Sequence, residues 1–147
     1  MNTKPKPNNS FLIIGILALL WNIMGLFQCI MAAFMQDTRL ETYGETYTPQ
    51  QMELFLNTPN WYYDVFGICT ITGVLASIAL LLKTKIAVPL FLVSLVTALV
   101  IQGLWMLGTQ AIALLGTEAI IMPMLVIVTS IFLYFYCKGA RQNNWLL

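Results

Sequence analysis

The chain has 147 residues, of which 59% are apolar and 9% charged, with a net charge of +1. So few ionisable groups cannot cover a water-soluble globule of this length, and the near-neutral balance leaves no electrostatic footprint for nucleic acid. Composition therefore excludes a soluble domain and predicts one integral membrane domain over residues 1–147.

Residues 1–10 are polar and Pro-rich and carry Lys4 and Lys6. The apolar run that follows, 11–35, exceeds the roughly 7 to 15 residues of a secretory signal core and has no small-x-small cleavage pair at its end, so it is predicted as a retained first span. Within it Asn22, Gly25, Cys29 and Ala33 fall on one face together with Ala18 and Gln36, within about 80° of arc at 100° per residue. This small and polar stripe is predicted to meet another helix, with Gly25, Cys29 and Ala33 as a small-xxx-small ladder and Asn22 hydrogen-bonding across it. On this reading Gly25→Leu disrupts helix packing and lowers the yield of the protein in membranes.

The segment 36–60 is predicted as an outer loop carrying Asp37, Glu41, Glu45 and Glu53. These carboxylates form either a solvated acidic loop or a cation-attracting surface. Inside the loop, Thr48, Pro49 and Gln51 have the spacing of a capped helix start, followed by Met52, Phe55 and Leu56 at helical intervals. They predict a short helix on the membrane interface. Asn57-Thr58-Pro59-Asn60 then breaks the chain and is predicted to cap the second span, 61–82. That span opens with Trp61, Tyr62 and Tyr63 at the level of an aromatic belt, and Asp64 complements its positive end. Thr70, Gly73 and Ser77 repeat the small polar stripe.

The link Lys83-Thr84-Lys85 is short enough to force the second and third spans into an antiparallel hairpin. The third span, 86–107, carries Ser94, Thr97, Gln102 and Trp105. Residues 108–116 are too apolar for a free loop and too few to cross, so they are predicted to lie flat or dip into the surface. Thr117 is predicted to cap the fourth span, 119–137, with Glu118 complementing its dipole, facing Asp64 or a vestibule as a rarer role, and Pro123 kinking it. Tyr134, Tyr136 and Trp145 are its aromatic anchors, and residues 138–147 form a second polar tail.

The charges sort by side. Lys4, Lys6, Lys83, Lys85, Lys138 and Arg141 flank one end of the four runs, whereas all six acidic residues, with Arg39, flank the other. Lys and Arg near span ends stay on the cytoplasmic side, so both termini are predicted to be cytoplasmic. The predicted fold is an all-α membrane protein: a four-transmembrane-helix bundle with a short interfacial helix in its first outer loop.

Chemistry is sparse. There is no histidine, and Cys29, Cys69 and Cys137 all lie in apolar runs. The sequence thus offers no Cys/His pair, Ser/His/Asp set or metal-ligand cluster, and predicts a non-enzyme without cofactor, metal site or disulfide. No ionisable Asp, Glu, Lys, Arg or His falls near the middle of a span, which disfavours ion coupling through such a group. Asn22, Gln28, Thr70, Ser94, Thr97, Gln102 and Trp105 are open to two readings, as contacts between helices or as the lining of a polar pathway.

Leu20-Trp21-Asn22-Ile23-Met24-Gly25, Pro59-Asn60-Trp61, the stretch from Ala87 to Leu95 after the lysine turn, and the closing segment from Lys138 to Trp145 carry a likeness. Over nearly its whole length the chain resembles a group of small four-span inner-membrane proteins of Gram-negative bacteria, often labelled sugar transporters. The resemblance implies the bacterial inner membrane and the same topology, and it brings no catalytic motif. Two roles follow as expectations. The first is an accessory or structural membrane component that binds itself or another membrane protein through its packed stripes and outer loop. The second is a permease for a small neutral, sugar-like solute, acting as an oligomer because four helices enclose little space.

Overall fold

A computed structural model describes residues 7, 9–37 and 48–147, apart from the side chains of residues 35–37, 55 and 118. Glu41 and Glu45, and the carboxyl groups of Asp37 and Glu118, lie outside the described set, as do Lys4, Lys6 and Arg39. The described residues form six helices and no strand: α1 (Asn9–Asp37), α2 (Pro49–Leu56), α3 (Asn60–Leu81), α4 (Ala87–Gly108), α5 (Ala111–Leu115) and α6 (Glu118–Gln142). Four of them, α1, α3, α4 and α6, are long and apolar enough to cross a membrane. At about 1.5 Å per residue, even the shorter two reach across a hydrocarbon layer of roughly 30 Å. The protein is an all-α membrane protein built on a four-helix transmembrane bundle.

The helices outrun the apolar segments that announced them. α1 begins at Asn9, before the first apolar residue, and α6 continues to Gln142, through Lys138 and Arg141, where a polar tail was expected from residue 138. Apolar character marks the lipid boundary, whereas backbone hydrogen bonding continues until a cap stops it. Two other expected caps are also absent. Asn60 is the first helical residue of α3, whose cap position is Pro59, and Thr117 makes no side-chain bond at the start of α6. There the carbonyl of Thr117 instead accepts from Ile120 and Ile121 at 3.1 Å. The short helix α2 does carry the expected reciprocal box: Thr48 N donates to Gln51 Oε1 at 3.0 Å and Gln51 N to Thr48 Oγ1 at 3.3 Å.

Packing runs in the order α1, α3, α4, α6, with α2 and α5 touching each other at one end. Large apolar side chains such as Phe27, Val128 and Phe135 are about 60% exposed on the outside of the bundle. Lipid suits such a surface, and water does not. At the lysine-turn end the bundle is closed by a core that includes Phe11, Leu80, Phe91, Leu133, Cys137 and Leu146. Tyr134, Tyr136 and Trp145, expected as interfacial anchors, pack against this core. Phe11 of α1 meets Tyr136 and Trp145 at ring-centroid distances of 6.5 and 6.0 Å.

The same end is locked by two helix terminations of one kind. After α3, Thr84 N donates to Ala79 O and Lys83 N to Leu80 O, both at 2.9 Å; after α6, Trp145 N donates to Ala140 O at 3.0 Å and Asn144 N to Arg141 O at 3.1 Å. Both are Schellman motifs, and their left-handed residues are Lys83 (φ 58°) and Asn144 (φ 55°). Leu147 then clasps the turn, donating to Lys83 O at 2.6 Å and accepting from Lys85 N at 3.0 Å. Asn adopts the left-handed region at lower cost than Lys. Lys83→Gly is therefore expected to gain about 1 kcal/mol, after allowing for glycine's greater unfolded-state freedom. A raised thermal midpoint in detergent is the expected reading, and a lowered one would show that the lysine side chain matters more than its backbone.

Candidate functional site

The polar residues of the spans divide between seams and a cavity. In the α1–α3 seam, Asn22 Nδ2 donates to Ala18 O at 2.8 Å and to Ser77 Oγ at 3.2 Å, and Ser77 Oγ donates to Gly73 O at 2.8 Å. The Asn22 amide rests on Gly73, where a Cβ would land on its carbonyl oxygen. Gly25 is less tightly held, since a Cβ there would stand 3.4 Å from Thr70 Cγ2, an ordinary contact. The tight point of the small-residue face is thus Gly73 on α3. Cys29 is buried further along α1, its thiol 4.0 Å from Tyr63 O. In the α3–α4 seam, Ser94 Oγ donates to Cys69 O at 2.9 Å and Cys69 Sγ to Ser94 O at 3.4 Å. Cys69 joins this seam although its place in an apolar run gave no sign of it.

Between these seams lies an inner cavity of about 280 Å³ to which all four spans contribute. Asn22, Gln28, Ser94, Gln102 and Trp105 of the expected pathway line it, as do Gly25 and Thr70 of the expected packing face. Thr97 does not. It lies off the cavity, and its hydroxyl bonds back to Val93 O at 2.8 Å and Ser94 O at 3.0 Å. Three residues along a helix is not a full turn, so Ser94 and Thr97 diverge by about 60° and only Ser94 points inward. Ala33, Gly73 and Ser77 are also outside the lining, whereas Ala32 belongs to it. Thr70 Oγ1 is directed to its own helix, donating to Phe66 O at 3.1 Å. The Gln28 and Gln102 amides, by contrast, make no hydrogen bond to the described residues. Their donors and acceptors are available to the cavity. The described lining holds no Asp, Glu, Lys, Arg or His.

A second chamber of about 640 Å³ sits at the end opposite the lysine turn, between α2, the start of α3, the end of α4 and α5. Gln50, Glu53, Asn57 and Gln110 give it a polar wall and Trp61 and Tyr62 an aromatic one. Its roof is tied by Gln51 Nε2, which donates to Leu114 O at 3.1 Å and so joins α2 to α5. Thr58 Oγ1 closes the last turn of α2 on Leu54 O at 3.0 Å. Glu53 is the acidic member of the described lining. Asp64, although on the first turns of α3, is outside it and exposed. The connection from α5 to α6 passes through Gly116, whose φ of 65° and ψ of −138° suit glycine alone.

Thr58, Tyr62 and Trp105 line both chambers, so the two are stacked across one septum. The Tyr62 and Trp105 rings face one another there with centroids 6.4 Å apart and planes tilted by 42°. Tyr62 was expected only as a belt residue. Its second role depends on the approach of α4, which the pattern of α3 does not contain.

Fold and site together define a polytopic helical membrane protein with a neutral, polar-lined cavity between its spans and a vestibule above it. No known protein family, curated protein or solved structure matches the chain.

Proposed function

We propose that the protein is a small permease-like component that takes up a small molecule through the vestibule and holds it in the inner cavity, the part within the membrane being uncharged. The observation that supports this most is the convergence of Asn22, Gln28, Ser94, Gln102 and Trp105 on one cavity, with two of their amides unpaired. Gln28 is exposed and Gln102 half-buried, so both amides are open to water or a neutral solute in the cavity, which needs no ion-coupling group to be held there. The lysine turn and the charge pattern support a cytoplasmic closed end and a vestibule on the outer side. The bacterial inner membrane is the location we assign, from the family likeness, with both termini cytoplasmic and no catalysis or cofactor. Function as an oligomer follows from the small enclosed volume.

A second reading, an accessory component acting through helix contacts with itself or another membrane protein, is favoured by Asn22. Its amide is spent on Ala18 and Ser77 rather than left for a solute. The two readings differ in whether the cavity is wet. In a variant with Cys29, Cys69 and Cys137 replaced by alanine, Gln102→Cys should react with a small membrane-impermeant thiol reagent added on the vestibule side. Thr97→Cys, off the cavity, should stay unreactive. If Gln102→Cys is equally inert, the cavity is dry and the accessory reading takes its place.

A further inference from the structure

The inner cavity has walls of two kinds, and one of them is poorly matched to a wholly polar solute. Alongside the amides stand Phe66, Ala98, Ile101, Met122 and Val126. Met24 of α1 and Met122 of α6 line the cavity and are yet 51% and 49% exposed at the bundle's outer surface. They mark a lateral mouth. α1 and α6 share no packed seam along their length and come together through Phe11 at the lysine-turn end, so the cavity opens toward lipid between them. Methionine side chains are flexible and polarizable, which suits a rim that an alkyl chain slides past. The vestibule across the Tyr62–Trp105 septum has a different character. Trp61, Tyr62 and Trp105 line it with aromatic rings, Glu53 supplies a carboxylate, and no Lys or Arg lines the described wall.

We propose that the two chambers together bind a single-chain cationic amphiphile, with its ammonium head in the vestibule between Glu53 and the aromatic rings and its alkyl chain in the inner cavity and its α1–α6 mouth. This rests on the cavity reading above and names the ligand class for it, with water keeping the Gln28 and Gln102 amides satisfied beside the chain. Aromatic faces and a carboxylate attract an ammonium and repel a sulfate or phosphate head. The chain buries apolar surface against Phe66, Met122 and Val126 without dragging charge past the septum. A head anchored at the aromatic level and a tail at hydrocarbon depth is also the arrangement that an amphiphile already has in a bilayer, so lateral access requires no dehydration of the tail.

The test uses the full chain in lipid vesicles and two photoreactive probes with the same diazirine-bearing alkyl tail, one ending in trimethylammonium and the other in sulfate. The cationic probe is expected to label Phe66 or Val126, and excess unlabelled alkyltrimethylammonium should compete that labelling away. The sulfate probe should mark only lipid-facing positions such as Phe27 and Val128. Glu53→Gln should lower cavity labelling about fivefold, and Ala98→Trp should abolish it while leaving Phe27 and Val128 labelled. If Ala98→Trp does not fold, Gly25→Leu blocks the cavity from the opposite wall. Equal labelling by both probes, or labels confined to Phe27 and Val128, overturns the proposal. Gln102→Cys in the same vesicles separates the causes: if it reacts, the cavity stands and the amphiphile alone is wrong, and if it does not, the cavity reading fails as well.

Discussion

Gly73→Ala should destabilise the folded bundle by about 2 to 4 kcal/mol, the combined scale of overpacking a close interior contact and losing interhelical hydrogen bonds. An added Cβ falls on the Asn22 carboxamide, with Asn22 Cγ at 2.8 Å and Ser94 Oγ at 3.2 Å. The amide has little room to retreat, because its nitrogen is held by Ala18 O and Ser77 Oγ. Either the two helices separate or Asn22 gives up both bonds in a medium that offers no replacement. The thermal midpoint in detergent should drop sharply and the membrane yield with it. Asn22→Ala removes the obstructing group, so the Gly73→Ala/Asn22→Ala pair should recover much of the loss. A double variant no better than the single one would show that the glycine is needed for some contact other than Asn22.

Gly25→Leu should leave the protein folded and close its cavity. The sequence pattern treats Gly25 as the centre of a packing ladder, and on that basis alone a leucine there would drive the helices apart. In the structure Gly25 lines the cavity and stands at ordinary contact distance from Thr70. A leucine therefore has empty space to grow into, and filling a cavity is commonly neutral or favourable to stability. We expect yield and thermal midpoint close to those of the parent. Labelling of Gln102→Cys from the vestibule side should fall by an order of magnitude, since the added side chain displaces the water that carries the reagent. Loss of yield with unchanged labelling would return Gly25 to the role of a packing residue.

The parts of this protein that are legible in its sequence are those that depend on solvent and on neighbours along the chain. Thr48 and Gln51 stand three residues apart and cap α2 as their spacing requires. Lys83-Thr84-Lys85 permits only a hairpin, and α3 and α4 form one. α1 and α6 run beyond their apolar segments because apolar composition reports immersion in lipid, not the end of a hydrogen-bond ladder. The Schellman motif at Lys83 could not be read, since a left-handed lysine is imposed by the turn and carries no glycine to signal it.

The site was legible only by residue type. Helical periodicity places Ser94 and Thr97 on broadly the same side of α4, yet one points into the cavity and the other bonds back along its own helix. Tyr62 and Cys69 acquire their roles from α4, a partner that nothing in their own segments specifies.

The sequence by itself determined the solvent, the four spans, their hairpin and the end at which cations gather, because each follows from transfer energies and connection lengths that act locally. Only the tertiary structure decided which polar groups seal a seam and which remain open to the cavity. Lipid rewards no particular inward face, so helix rotation is settled by close approach at points such as Gly73 and by hydrogen bonds such as that from Asn22 to Ser77, which exist only once the helices have met.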